Sequence, residues 1–308
     1  MDDKLENILK LKLNYVNFIK KNQKKISIKK KDEFRISTYN IHYFTDIYEK
    51  KSKFREIIKN ILKINSDIII LQEIIIGTDE VIINNNLKLN IRNFYSLISS
   101  LYNKTIFCNS VPSWFNAIYG NMVLINKNIN YNVNESNYTF SKAICNVRVS
   151  GSHDCSPETR CYIYLMVKFK IYNLHIYGTH LDISDEKIRI NQIKYIINKT
   201  KNHKNKNDIV FICGDFNTID RSQYNSDDYR INNSYTKKNG KVIKYLKKTN
   251  FYDCHETNKS DMTTWNNTRV DFIFVNKKCL NYRAEYYFVD SSDHIPVIIT
   301  LEDNFSIE

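Results

Sequence analysis

Asp215 and Asn217 stand two residues apart at the end of "FICGDFN", residues 211–217. Strand side chains alternate with period two, so an apolar run ending in a carboxylate, a spacer and an amide aims both polar groups at one place. Five further segments end or begin in the same way. They are Asn40 in "TYNIH", Glu73 in "LQE", His180 in "GTHLD", Asp271 in "RVDFIF", and Asp293 with His294 in "SSDHIPV". One such residue alone reads as a turn cap. Six in one chain read as a shared site at the ends of strands, where loops on a rigid scaffold carry chemistry.

The residue types narrow that chemistry. Carboxylates and an amide are hard oxygen donors and suit Mg²⁺ or Mn²⁺. No HExxH and no cysteine cluster offers a zinc site. Two histidines can serve as general acid, general base or stabiliser of a phosphate oxygen. The chain has no GxxxxGK[ST], GxGxxG or GxSxG, which removes support for a nucleotide cofactor, dinucleotide redox chemistry and acyl hydrolysis. Metal-assisted attack of water on phosphorus fits the remainder.

The elements that must hold these residues can be read from periodicity. "FRISTYNI" (34–41) alternates as a strand, and 51–65 places Phe54, Ile57, Ile58, Ile61 and Leu62 on one helical face. Strands are expected at 67–73, 121–127, 143–149, 161–171, 174–180, 208–216, 269–276 and 295–302. Helices are expected at 93–103, 185–200 and 240–250, the second capped by Ser184–Asp185. Residues 150–159 and 219–240 read as loops, the latter long enough to suggest a functional one. Strands in two groups with helices between them predict two sheets packed face to face with helices outside. Three regions follow: a basic, helical N-terminal extension over 1–31, a catalytic domain over 32–303, and a tail over 304–308.

The chain has 308 residues and a formal charge of +13. The charge has two readings. It suits a polyanionic partner, nucleic acid first. It also fits a sequence crowded with Lys, Asn, Ile and Tyr through AT-rich codons. The N-terminal segment, with its lysine cluster, is read as a helix packed on the domain; an arm for nucleic acid or an acidic membrane surface is the sharper alternative. Seven cysteines without a CxxC pair suit a reduced intracellular protein, with a loop disulfide among Cys145, Cys155 and Cys161 left open. No signal peptide or apolar run of membrane-spanning length is read, so a soluble protein is expected. Oligomeric state is left open.

The ordered series "TYNIH", "LQE", "YGNMVLIN", "ETRCYIYLMV", "GTHLDI", "GDFN", "RVDFIFV", "SDHIPV" resembles the endonuclease/exonuclease/phosphatase superfamily, whose fold is like that of pancreatic-type deoxyribonuclease. The resemblance spans about Phe34 to Leu301. It implies a four-layered α/β sandwich with two mainly antiparallel sheets, and a Mg²⁺-dependent phosphoesterase. It casts Glu73 as the main metal carboxylate, with Asn40 and Asp293 beside the metal. Asp215 matches the carboxylate that orients or deprotonates the water, and Asn217 the amide on the phosphate. His294 matches the histidine at the scissile phosphate, with Asp271 fixing its tautomer. His180 matches the second histidine, a phosphate binder or leaving-group acid. Arg160, Asn121 and Trp265 are candidates on the substrate side, Trp265 either stacking a base or packing beneath the site.

Substrate is less determined. His180 in "THL" is shared by deoxyribonucleases, sphingomyelinases, inositol phosphatases and deadenylases of the superfamily. His42 stands where abasic-site endonucleases carry Asp, and Phe216 where tyrosyl-DNA phosphodiesterases carry Thr. A phosphodiesterase acting on nucleic acid is the leading expectation. Alternatives are a phospholipid or phosphoinositide headgroup phosphoesterase resembling sphingomyelinases, a tyrosyl-DNA phosphodiesterase, and an inactive polyanion-binding module.

Overall fold

A computed structural model describes residues 3–48, 51–77, 81–83, 87–89, 91–114, 117–129, 136–139, 160–183, 185–224, 240–255 and 262–307. In chain order the elements are α1 (Asp3–Asn22), β1 (Phe34–Asn40), α2 (Phe54–Ile64), β2 (Ile68–Gly77), β3 (Val81–Ile83), β4 (Leu87–Leu89), α3 (Ile91–Ile98), β5 (Tyr102–Trp114), β6 (Ala117–Asn126), β7 (Ser136–Thr139) and β8 (Cys161–Phe169). They continue with β9 (Tyr172–His180), α4 (Glu186–Thr200), β10 (Asp208–Asp215), α5 (Lys241–Lys248), β11 (Tyr252–Asp253), β12 (Asp271–Val275), β13 (Cys279–Tyr286) and β14 (Val297–Ile307).

Two six-stranded sheets form, ordered β13-β14-β1-β2-β6-β5 and β11-β12-β10-β9-β8-β7. Each is antiparallel except for one central parallel pair, β1 with β2 and β9 with β10. Alternation sorts the side chains into layers. Ile36, Ile68, Ile70, Val123, Leu174, Ile176, Phe211, Cys213 and Ile273 interdigitate between the sheets. Tyr39, Ile69, Leu71 and Ile298 face outward against Ile57, Ile58 and Ile61 of α2 and Phe94 of α3. Val210, Ile212, Phe272 and Phe274 face outward against Ile193 and Ile196 of α4 and Val242 and Leu246 of α5. The expected four-layered sandwich is therefore the observed one.

Most expected strands and helices are present, with three departures. The helix expected over 93–103 ends at Ile98, and the chain enters β5 at Tyr102, which pairs with Asn126. The single strand expected over 161–171 is the first arm of a hairpin that turns at Lys170, where φ is +55°. Strands β5, β7, β11, β13 and the β3–β4 hairpin were not expected. The strand expected over 143–149, loop 150–159, Ser184 and most of loop 219–240 lie outside the described residues. Cys161 is a free, buried thiol in β8, so it forms no loop disulfide.

Helix α1 packs on the sandwich as the sequence suggests. Tyr15 and Ile19 are fully buried and meet Ile47 and Ile295, with Tyr48, Met262 and Trp265 around them. Lys10, Lys20 and Lys21 on the opposite face are exposed. Among the described residues, no helix is long and apolar enough to cross a membrane.

Candidate active site

The polar residues singled out above lie on strand faces that, further along, fill the core between the sheets. Asp215 lies two residues beyond Cys213, Asn40 four beyond Ile36, His180 four beyond Ile176, and Asp271 two before Ile273. Parity therefore points all four into the slot between the sheets at one end, where the apolar filling stops. Register completes the alignment: Asp215 pairs with His180 on one neighbouring strand and with Asp271 on the other. A single rung thus carries His180, Asp215 and Asp271 across β9, β10 and β12.

Two local devices make this work. Gly214 has φ +149°, and a Cβ there would lie 1.8 Å from the Thr179 carbonyl oxygen. Glycine is what lets β10 approach β9 beside the site. In β2, Ile69 and Leu71 face the helix layer, so Glu73 would follow them by simple alternation. Instead Glu73 adopts φ +55° within a bulge between Leu71 and Ile74, and Ile74 takes the helix-facing position. The bulge turns Glu73 toward the slot, at a local backbone cost on the order of 1 kcal/mol.

The resulting contacts tie both sheets together. The Asn40 amide donates to Glu73 Oε1 and to Asp215 Oδ2, each at 3.1 Å. His180 Nε2 lies 3.5 Å from Asp215 Oδ2 and 3.9 Å from Glu73 Oε1, and the Asn217 amide is 3.0 Å from the same nitrogen. Asp215 Oδ1 accepts the Asn217 backbone N–H at 2.8 Å, which holds Asn217 at φ +47°. His294 Nε2 is 3.8 Å from Asp215 Oδ2, and its Nδ1 is 2.9 Å from Asp271 Oδ2. Asp293 Oδ1 lies 3.9 Å from His294 Nε2 and 3.9 Å from His42 Nδ1.

The surroundings of the two site histidines push their pKa values in opposite directions. Arg160 is buried and places Nη1 2.9 Å from His180 Nδ1. A guanidinium only donates, so Nδ1 accepts from Arg160. Burial, then the Arg160 charge, holds the His180 pKa well below its ordinary value of 6.5. Burial also opposes protonation of His294, but the carboxylates of Asp271, Asp293 and Asp215 outweigh it and raise its pKa to about 10. Burial raises Asp271 as well, against the pull of His294. Glu73 is pushed up to about 7, chiefly by burial, with His42 opposing and Asp293 reinforcing the rise.

Of the sequence candidates, Asn40, Glu73, Arg160, His180, Asp215, Asn217, Asp271, Asp293 and His294 converge. Asn121 is buried on β6 and donates to the Cys161 carbonyl at 3.3 Å, a bond between the two sheets. Trp265 sits in the α1 cluster with Lys12 Nζ 5.3 Å from its ring centroid. Phe216 is fully buried on the helix side against Phe272 and Phe274. Asp185 is the N-cap of α4, accepting from the Lys187 N–H. Three participants were missed. Thr263 Oγ1 accepts the N–H groups of Val270 and Asp271, and Ser292 donates to the Asn40 carbonyl. His42, visible in "TYNIH", starts a run of three left-handed residues and brings its imidazole to Asp293.

A hard cation fits one part of this site. Ligand atoms of Asp215, Asp271 and His294 lie within 4.8 Å of one another. That trio suits a cation less well, because Asp271 already engages His294 Nδ1. Glu73 and Asp293 offer carboxylate oxygens, while Asn40 turns its amide N–H to Glu73 and its Oδ1 to the His42 N–H; a buried carboxylate raised to about 7 is one that a cation would relieve.

The sequence model of the endonuclease/exonuclease/phosphatase family matches residues 37–294. The chain belongs to this family. Among solved structures, this family member is similar to an endonuclease/exonuclease/phosphatase from Beutenbergia cavernae, with TM-score 0.64 and 13% identity, covering 88% of this chain and 72% of that one. It is similar to the human Nocturnin catalytic domain with a bound sulfate anion, with TM-score 0.58 and 18% identity, covering 91% and 96%. It is also similar to truncated Caenorhabditis elegans TDP2, with TM-score 0.54 and 16% identity, covering 87% and 96%. Among curated proteins no sequence matches. The match places Asn40 near its start and ends on His294, so the whole site of this family hydrolase falls inside it.

Proposed function

We propose that the protein is a divalent-cation-dependent phosphodiesterase acting on nucleic acid. One observation carries the reading: His180 Nε2 and His294 Nε2 flank the same oxygen of Asp215, at 3.5 Å and 3.8 Å. In-line displacement at phosphorus needs a base for the entering water and an acid for the departing oxygen, and this cluster offers a group for each.

Glu73, Asn40 and Asp293 would hold the cation, which when bound supplies charge neutralisation at the phosphate. Asp215 takes the proton of the attacking water as its oxygen bonds to phosphorus. His294 gives its Nε2 proton to the departing oxygen as the old P–O bond breaks, and Asp271 keeps the ring oriented throughout. His180 Nε2–H and the Asn217 amide donate to non-bridging oxygens. Arg160 acts through His180 by fixing its tautomer.

The charge of +13 favours nucleic acid over a neutral substrate. A second reading, a phospholipid headgroup, is favoured by Leu9 and Leu13, which are 45% and 55% exposed among the lysines of α1. The test is hydrolysis of bis(p-nitrophenyl) phosphate, single-stranded DNA, RNA and sphingomyelin vesicles with Mg²⁺ or EDTA. Cleavage of diester and nucleic acid, abolished by EDTA and reduced about a hundredfold or more in His294→Ala and Asp215→Asn, supports the proposal. Turnover confined to vesicles replaces it with the second reading. Equal behaviour of wild type and variants removes it.

A further inference from the structure

We propose that Lys12 of α1 binds a second phosphate of the substrate, flanking the one that is cleaved. The inference rests on the phosphodiesterase reading and extends its site to the N-terminal helix. Lys12 differs from its neighbours on α1. Lys10, Lys20 and Lys21 are exposed, whereas Lys12 is half-buried with Nζ 5.6 Å from the Tyr48 ring centroid and 5.3 Å from that of Trp265. Among the described residues no carboxylate pairs with it. Aromatic faces orient an ammonium but leave its charge intact, so it stays available to an anion.

Its support leads directly to the site. The Trp265 N–H donates to the Asp293 carbonyl at 2.9 Å, Ile295 N–H donates to Thr263, and Thr264 bridges His294. Tyr48 closes the segment that starts at Asn40 and His42. Lys12 therefore rests on Trp265, whose backbone is bonded to Asp293, the neighbour of His294. The helix beneath it is fixed by the fully buried Tyr15 and Ile19. The Tyr15 hydroxyl is buried without a hydrogen-bond partner, and the Asp293 and Asp271 charges act on it. Burying that hydroxyl so close to the site carboxylates shows how deeply α1 is built into this end of the sandwich. On this proposal a substrate with several phosphates engages Lys12, and a single isolated diester does not.

The experiment uses full-length Asp215→Asn protein and a fluorescein-labelled single-stranded oligonucleotide, with Lys12→Gln compared against Lys10→Gln. Lys10 is exposed on the opposite side of α1, so both changes remove one charge from the same helix. The expected result is binding weakened about five- to tenfold by Lys12→Gln alone, with the slope of log K against log salt reduced by about 0.7, the share of one single-strand phosphate. In the otherwise wild-type background, Lys12→Gln should leave hydrolysis of bis(p-nitrophenyl) phosphate unchanged, because that substrate has one phosphate. Equal effects from both lysines, or none from Lys12→Gln, overturn the proposal. So does binding to phosphatidylserine vesicles without binding to the oligonucleotide. If wild type fails to hydrolyse the diester, the functional reading fails, while the salt slope still decides the role of Lys12.

Discussion

His294 Nδ1 lies 2.9 Å from Asp271 Oδ2, and both residues are buried. The pairing turns His294 into a standing acid. In metal-free protein its imidazole should keep its proton up to about pH 10, against an ordinary 6.5. A raised pKa contributes stability that is fully present below 6.5 and is lost as pH rises through about 10. Asp271→Asn should bring the titration down toward its ordinary value, read by ¹⁵N chemical shifts of the ring. It should also lower stability at neutral pH, where the ring loses the proton that Asp271 had held. A His294 titration unmoved by Asp271→Asn would show that other groups hold the proton.

Arg160 acts on the other histidine, and two substitutions separate its parts. Arg160→Met removes both the charge and the donor to His180 Nδ1; Arg160→Gln keeps a donor without the charge. The charge helps hold His180 neutral, second to burial, so either change should raise its pKa and move the acid limb of kcat to higher pH. Only Arg160→Met frees the ring tautomer, so its kcat at the plateau should fall about tenfold further than that of Arg160→Gln. Identical plateaus would leave Arg160 a purely electrostatic role.

The sequence made the slot legible wherever simple alternation reaches it. Asn40, His180, Asp215 and Asp271 follow from strand parity counted back to Ile36, Ile176, Cys213 and Ile273. Glu73 was legible as the polar end of an apolar run but not by parity, because a bulge reverses it. Strand β13 was hidden by a bulge between Leu280 and Tyr282, with Asn281 at φ +58°, which breaks the alternation. Both arms of the hairpin at Lys170 were expected as strands, but the first was drawn two residues too long because no glycine or asparagine marks the turn. Thr263 and His42 act through side-chain contacts made across loops, which no local period records.

Acid stability has an identifiable source away from the site. Arg283 donates to both oxygens of Glu33, at 2.8 Å and 2.9 Å, and this bonding lowers the Glu33 pKa from 4.5 to about 2. A depressed carboxylate contributes stability above its unfolded pKa and loses it as pH falls through the folded one. Arg283→Gln should therefore lower the melting temperature at neutral pH and flatten its decline between pH 4.5 and about 2. Parallel melting curves for wild type and variant across that window would exclude the pair as the source.

Glu73 carries the prediction for the cation. Burial raises its pKa from 4.5 to about 7, so without a cation this group weakens the fold as pH rises from 4.5 through about 7. Mg²⁺ or Mn²⁺ would bind the ionised form and displace the proton. The rise in melting temperature on adding Mg²⁺ should accordingly be larger above pH 7 than below it. Glu73→Gln keeps the shape and removes the charge. Above pH 7 in EDTA the variant should melt no lower than wild type, and the increment from Mg²⁺ should vanish. An Mg²⁺ increment preserved in Glu73→Gln and lost in Asp271→Asn would move the cation to the cluster of Asp215, Asp271 and His294, and with it the division of labour between the two histidines.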